Sequence, residues 1–487
     1  MGEKIPHWLD KQAETNPNKT AIRQSDGEIV TFKELRNESR QIAYGLRGLG
    51  VRKGTHIALL AENHKEVPAF IHASSYAGAV LVLLNTRLTP AELAFQLEDA
   101  EVQFLFTSNS LKGRGEEASQ HLPIRQYSLE EIPRDAGESD VEEEFDLDDV
   151  YTMMYTSGTT GNPKAVMHTY GNHWHSAISS ALNMGLHEED QWLVCLPLFH
   201  VGGFSILMKS VVYGMTIEYM GTFDEKIIQE AIFERGITHV SVVTVMLRRL
   251  LDHLGEASYP EHFRCMLLGG GPVPKPLLER AAERRIPVFQ TYGMTETSSQ
   301  IATLDPSSAL RKLGSAGRPL STAQLLVDAE KEYEVGEILV RGPMVSKKYY
   351  NREASDEAFF RTGDLGYKDE EGFLYVVDRV KDVIISGGEN VYPAEIESVL
   401  SSFPGVIEAG VTGIANEKWG EVPAAFLVLE EHTLWNQEEM ERFLEDKLAK
   451  YKRPHVYHIV PELPRNASNK LVRRRLPSLV EEHKDEC

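Results

Sequence analysis

Apolar residues along the chain fall into short unbroken blocks. "HIALLA" (56–61), "GAVLVLLN" (78–85) and "VQFLFTS" (102–108) each have the length of one strand. Continuous apolar runs suit strands covered on both faces, the pattern of a mostly parallel sheet. Helix-like spacing lies between and before them. "TFKELRNESRQIAYGLRGLG" (31–50) opens with the capping-box pair Thr31 and Glu34 and sets Leu35, Ile42, Leu46 and Leu49 in one stripe. Over residues 5–13, Ile5, Trp8, Leu9 and Ala13 are spaced for one helical face. Strand blocks alternating with helical stripes predict βαβ units.

The alternation resumes in "DQWLVCLPLFHVGG" (190–203), "THVSVVTVMLRRLLDHL" (238–254), "FRCMLLGGGPVP" (263–274) and "RRIPVFQTYGMTE" (284–296). Between these groups, residues 113–149 are polar and end in "ESDVEEEFDLDD", which reads as a solvated acidic connector. From about 312 the pattern shortens to strands and turns, as in "GEILVRGPMV" and "GFLYVVDRVKDVIISGG". Pro393 opens a helix carrying Ile396, Val399 and Leu400, and Met440, Phe443, Leu444 and Leu448 stripe another. The predicted fold class is α/β. A large N-terminal domain, residues 1–380, holds mixed and parallel sheets with helices, and a small α+β domain follows at 381–487.

Length agrees, since 487 residues exceed one ordinary core. A formal charge of -22 argues against nucleic acid or an anionic membrane as the main partner. Three scattered cysteines give neither a disulfide framework nor metal-ligand spacing, so a cytoplasmic location is expected. No window approaches a membrane span, and self-association is left open.

The densest chemistry lies in "YTSGTTGNPKAV" (155–166), which follows an apolar strand, "DVYTMMYT", and precedes "AVMHTYGNHWHSAISSALNM", read as the start of a helix. Small residues let a backbone approach phosphate oxygens, hydroxyls and N–H groups donate, and a lysine neutralises charge. The P-loop spacing G-x-x-x-x-G-K-[ST] fails here. Gly158 and Gly161 are three apart, and Ala165 follows Lys164.

Four further segments accompany that loop in order: "TYGMTET" (291–297), "RTGDLGY" (361–367), "DRVKDVIISGGENVYPAEIE" (378–397) and "LPRNASNKLVRR" (463–474). Together the five resemble the adenylate-forming superfamily of acyl- and aryl-CoA ligases, carrier-loading adenylation domains and luciferases, and the likeness spans the whole chain. Within it, "LPLFHVGGFSILMKSVVYG", "TYGMTETSSQ" and "LAKYKRPHVYHIVPELPRNASNK" resemble the ligases that join o-succinylbenzoate to CoA in menaquinone biosynthesis.

The resemblance implies a two-step reaction with ATP, Mg²⁺ and CoA. Thr156, Ser157, Gly158, Thr159, Thr160 and Lys164 would hold the β- and γ-phosphates, and Glu296 would bind Mg²⁺. Thr295 would donate to the α-phosphate. Tyr292, with Gly293 and Met294 after it, would stack on adenine along Gly269, Gly270 and Gly271. Asp364 would take the ribose hydroxyls, with Arg379 beside it. Lys470 would bridge the acid and the α-phosphate. Lys381 would be the hinge of a mobile C-terminal domain, whose Ser386, Gly387, Gly388 and Glu389 would serve the CoA step. His200, Ser298, Ser299 and Gln300 would border the acid, their polarity suiting a second carboxylate. The family usually has glycine at the positions of Ala165 and Asn469. Another aryl or medium-chain acid, a carrier protein as acceptor, or nucleotide binding without turnover stay open as alternatives.

Overall fold

A computed structural model of the chain describes residues 2–134, 137, 140–156, 163–271, 273–346, 348–353, 357–430, 432–445, 447–465 and 471–482. The chain forms two compact units. One comprises Met1–Leu325 with Val340–Phe360, the other Leu326–Leu339 with Arg361–Cys487.

The first unit is built on two sheets. One has the strand order Lys164–Thr169, Val150–Thr156, Val80–Leu83, His56–Leu60, Phe104–Thr107, Arg125–Ser128. All its pairs are parallel except the first. The other runs parallel through Val288–Met294, Cys265–Leu268, His239–Val242, Gln191–Val194, Thr216–Tyr219 and Thr20–Gln24. It then turns antiparallel at Ser299–Leu304. The three apolar blocks are central strands, and Ile57, Leu81 and Leu105 are fully buried. Helix Phe32–Leu49 starts as its sequence predicts: the Glu34 amide donates to Thr31 Oγ1 at 3.2 Å and the Thr31 amide to Glu34 Oε2 at 2.8 Å. Among the described residues, no helix is long and apolar enough to cross a membrane.

Three local expectations change. Ile5 lies in strand Lys4–Pro6, paired with Phe145, and the helix is only Trp8–Thr15, because Pro6 is followed by an extended His7. "KAVMHT" is the strand Lys164–Thr169, and the helix starts at Tyr170. Its pairing with Val150–Thr156 supplies what a short, ambiguous apolar run lacks alone. The acidic run is not a free connector either. Phe145 and Leu147 are buried, and Glu142 meets Arg47 at 3.4 Å and Lys53 at 3.6 Å.

The second unit is α+β. Phe360–Lys368 and Leu374–Arg379 pair antiparallel. A further sheet has the order Glu389–Val391, Ile384–Ser386, Gly420–Leu429, Val406–Asn416, with Val456–Ile459 added parallel to Gly420–Leu429. Helices Pro393–Leu400 and Gln437–Glu445 bury Ile396, Leu400, Met440 and Leu444 with Val411 and Leu427. Leu448 joins that core from beyond the second helix.

Candidate active site

Strand Val150–Thr156 ends at Thr156, and its antiparallel partner begins at Lys164, directly opposite. The pairing places one hydroxyl and one ammonium at the base of the Gly/Ser/Thr loop. Ser157, Gly158, Thr159 and Thr160 lie outside the described residues. Ala165 is buried opposite Tyr155 in this regular ladder, and its φ is not positive. A methyl group therefore brings no left-handed strain at this position.

The same strand organises the turn Thr295–Thr297. Along its edge lies the segment after Ser346. The Met167 amide donates to the Lys348 carbonyl at 3.1 Å and the Tyr350 amide to the Ala165 carbonyl at 2.9 Å. Tyr349 then faces the turn, its hydroxyl donating to Glu296 Oε1 at 2.9 Å. Burial, and then the Glu296 charge, push the Tyr349 phenol well above its ordinary value, so it remains a donor. Lys164 Nζ sits 5.4 Å from the centroid of the same ring. Nothing in "SKKYY" marks Tyr349 as a site residue by sequence; only the pairing of the two segments does.

Glu296 offers one oriented carboxylate, and among the described residues no group of three or more His, Cys, Asp or Glu forms a metal cage. Mg²⁺ in phosphate-transfer sites takes one or two carboxylates together with phosphate oxygens and waters. The residues present fit that ion bound with a polyphosphate.

Strand Val288–Met294 carries the segment expected to meet the nucleotide. Cys265–Leu268 runs parallel beside it, so Gly269, Gly270 and Gly271 leave the sheet next to Thr291 and Tyr292. The Thr291 hydroxyl donates to the Leu268 carbonyl at 3.2 Å. At Gly293 the ladder shifts register, and a Cβ would lie 2.0 Å from the Ser299 carbonyl oxygen. Only glycine fits that approach. Met294 ends the strand and Thr295 opens the turn.

The residues expected around the acid separate into two groups. His200 caps helix Val201–Tyr213 in an extended conformation, edge-on to Phe199 with ring centroids 4.7 Å apart. One turn on, the Ser205 hydroxyl donates to Ser299 Oγ at 3.4 Å. Ser298 is instead buried, with its hydroxyl spent on the Met344 carbonyl at 2.9 Å. Gln300 is buried too, its amide donating to Thr303 Oγ1 at 3.2 Å. One turn beyond Ser205 lies Lys209, a residue the sequence pattern hid in an apolar helix. It is 1% exposed, stands 4.7 Å over the Trp192 ring, and its Nζ has no hydrogen-bond partner among the described residues. Burial pushes its pKa down to about 8.

In the second unit, Asp364 and Arg379 are direct cross-strand partners, with Nε 3.4 Å from Oδ1. Asp364 is buried, and its amide donates to Thr362 Oγ1 at 3.1 Å. Lys381 is exposed in the turn Val380–Asp382. Ser386 and Glu389 pair across a two-residue hairpin whose tip, Gly387 and Gly388, has φ of 61° and 89°. That geometry selects glycine pairs. Lys470 and Asn469 lie outside the described residues.

An ammonium and a carboxylate joined through one tyrosine, beside a glycine-lined strand end, are equipped to hold a nucleoside polyphosphate. The AMP-binding enzyme family matches residues 9–350, and the AMP-binding enzyme C-terminal domain matches residues 395–470. The chain belongs to the AMP-binding enzyme family.

More particularly, it is 53% identical over 483 residues to the 2-succinylbenzoate--CoA ligase of Oceanobacillus iheyensis, covering 98% of this chain and 100% of that protein. It is 51% identical over 491 residues to the 2-succinylbenzoate--CoA ligase of Bacillus mycoides, covering 99% and 100%. Among solved structures it resembles the o-succinylbenzoate CoA synthetase from Bacillus subtilis in complex with the acyl-adenylate intermediate OSB-AMP. There the TM-score is 0.93 at 46% identity, covering 97% of this chain and 98% of that one. The same Bacillus subtilis enzyme in complex with ATP and magnesium ion gives 0.92 at 45% identity, covering 98% and 100%.

Proposed function

We propose that this protein is an AMP-forming ligase that joins 2-succinylbenzoate to CoA, acting in menaquinone biosynthesis. The full-length likeness to ligases of that name carries the reading. A carboxylate oxygen of the acid bonds to the α-phosphorus of ATP as the bond to the bridging oxygen breaks, and pyrophosphate leaves. The CoA thiolate then adds to the acyl carbon, and AMP leaves with the C–O bonding pair.

Two anions must meet in the first step, so positive charge and oriented donors decide its rate. Lys164, Thr156, Ser157, Gly158, Thr159 and Thr160 hold the terminal phosphates, and Thr295 donates to the α-phosphate. Glu296, oriented by Tyr349, would hold Mg²⁺. When bound, Mg²⁺ screens phosphate charge and favours departure of pyrophosphate. Tyr292 stacks on adenine along Gly269–Gly271, and Gly293 and Met294 complete that wall. Asp364 accepts from the ribose hydroxyls, with Arg379 holding its carboxylate. Lys470 bridges acid and phosphate in the first step. In the second, the Ser386–Glu389 hairpin replaces it, the 381–487 segment turning at Lys381.

The acid has two carboxylates, and one is not consumed. Lys209 is the counter-charge for it, since a buried ammonium with no hydrogen-bond partner among the described residues is costly unless an anion completes it. His200 and Ser299 face the rest of the acid, while Ser298 and Gln300 shape the wall from behind. The buried free thiols Cys195 and Cys265 support work in a reducing cytoplasm.

The test is pyrophosphate release and thioester formation with ATP, Mg²⁺ and CoA over a panel of acids. Selective turnover of 2-succinylbenzoate against benzoate, succinate and octanoate is expected. Preference for benzoate or octanoate would discard the substrate and leave the chemistry.

A further inference from the structure

The strand that begins with Lys164 ends in a feature the two-step chemistry does not use. His168 is fully buried one residue before the strand's end, and its Nε2 lies 2.7 Å from the carbonyl oxygen of Thr295. A carbonyl only accepts, so Nε2 carries the proton and Nδ1 is bare. Thr152 Oγ1 is 3.3 Å from that Nδ1 and 2.9 Å from Nε2 of His173. The directions follow from the one fixed acceptor. His173 Nε2–H donates to Thr152, the Thr152 hydroxyl donates to His168, and His168 donates to Thr295.

We infer that His168 is a positioning residue for adenylation, setting the Thr295–Glu296 turn against the strand that carries the phosphate lysine. The inference rests on the reading of Thr295 and Glu296 as groups that meet the nucleotide and its Mg²⁺.

Two further observations carry it. The backbone just past the turn is strained: Ser298 has φ 54° and Ser299 φ 128°, in the region that favours glycine. The turn has bonds of its own, the Ser298 amide donating to the Thr295 carbonyl at 3.0 Å and the Met294 amide to Thr297 Oγ1 at 2.9 Å, and contacts from outside add to them. Two of the outside holds lead to the same strand. On one side Ser346 donates its amide to the Glu296 carbonyl at 2.7 Å and its hydroxyl to the Met167 carbonyl. On the other, His168 grips the Thr295 carbonyl. The Thr295 and Glu296 carbonyls are thus tied through neighbouring residues, His168 and Met167, to the ladder that fixes Lys164. Phosphate lysine and metal carboxylate move as one piece.

Three variants test this: His168→Leu, which removes the donor, His168→Gln, whose amide reaches about as far as Nε2, and Thr152→Val, which removes the hydroxyl that fixes the tautomer. The readouts are KM for ATP, the Mg²⁺ concentration for half activity, KM for 2-succinylbenzoate and for CoA, and the melting temperature. His168→Leu is expected to raise the ATP and Mg²⁺ values about ten-fold while KM for the acid and CoA stays within about two-fold. His168→Gln should recover most of that loss, and Thr152→Val should fall between. A histidine that merely packs would shift the melting temperature and leave the substrate constants alone. Equal ATP and Mg²⁺ constants in all folded variants, or Gln as impaired as Leu, overturns the inference. If His168→Leu does not fold, Thr152→Val and His168→Gln decide it by the same split. Glu296→Gln serves as the reference. If it leaves the Mg²⁺ requirement unchanged, the reading of the turn fails; if it raises the requirement and the His168 and Thr152 variants do not, only the positioning role fails.

Discussion

The hydroxyl of Tyr349 donates to Oε1 of Glu296 at 2.9 Å, and through it a strand edge reaches the carboxylate proposed to hold Mg²⁺. Tyr349→Phe keeps the ring beneath Lys164 and removes only that donor. A hydrogen bond to a charged group contributes roughly 1.5–3 kcal/mol, partly replaced here by water. The Mg²⁺ concentration for half activity should rise about three- to ten-fold by the same figure. Glu296→Gln removes the charge itself and should raise it further. Magnesium titrations of initial rate decide both, and unchanged curves in the two variants would remove Glu296 as the ligand.

Lys470 is assigned to one half-reaction only. Lys470→Ala should lower pyrophosphate release by about three orders of magnitude, the scale of losing an oriented charge in a water-poor site. Thioester formation from supplied acyl-adenylate and CoA should remain within about three-fold of the parent enzyme by the same reasoning. Equal loss of both steps would sink the assignment.

How much of this was legible in the sequence depends on the range of the interaction. The capping box at Thr31 and Glu34 and the loop from Thr156 to Lys164 are local, and their chemistry is written in neighbouring residues. Asp364 and Arg379 lie fifteen positions apart, yet the turn between their strands makes them partners. Tyr349 could not be seen, because it reaches Glu296 only after its segment pairs with the strand at Val166. Ser298 shows the reverse: a polar residue in the expected place, with its hydroxyl turned onto the Met344 carbonyl. Lys209 was hidden for a third reason. A single lysine in "FSILMKSVVYG" reads as the one solvated position of an apolar helix, and only packing makes it buried.

That burial gives Lys209 a double signature. At pH 7 its ammonium has no hydrogen-bond partner among the described residues, and burial pushes its pKa down to about 8. The folded value is below the unfolded one, so stability is lost as pH falls from about 10.5 toward 8, and the full cost is present at neutrality. Lys209→Met should therefore raise stability by ~1–3 kcal/mol. The same change should raise KM for 2-succinylbenzoate at least ten-fold, since a lost buried ion pair with substrate costs about that or more, and leave KM for ATP in place. Denaturant melts and steady-state kinetics check the two halves. A stabler variant with an unchanged acid KM would make Lys209 a packing residue.

Acid should unfold the first unit through its buried histidines. His72 is 2% exposed, with no partner for Nε2 among the described residues, and burial pushes its pKa down to about 3. His239, at 2% exposure, is pushed to about 4, burial outweighing the nearby Asp190 carboxylate. Both would titrate near 6.5 in the unfolded chain. Between those values the unfolded chain binds more protons, so stability is full above about 6.5 and falls as pH drops through that window. Each histidine contributes at most about 1.4 kcal/mol per pH unit. His72→Leu fills a similar volume without a titrating group, so it should flatten the acid limb by about one proton. Urea midpoints from pH 7.5 to 4.5 measure the slope, and an unchanged slope in His72→Leu would show that this ring is not charged on unfolding.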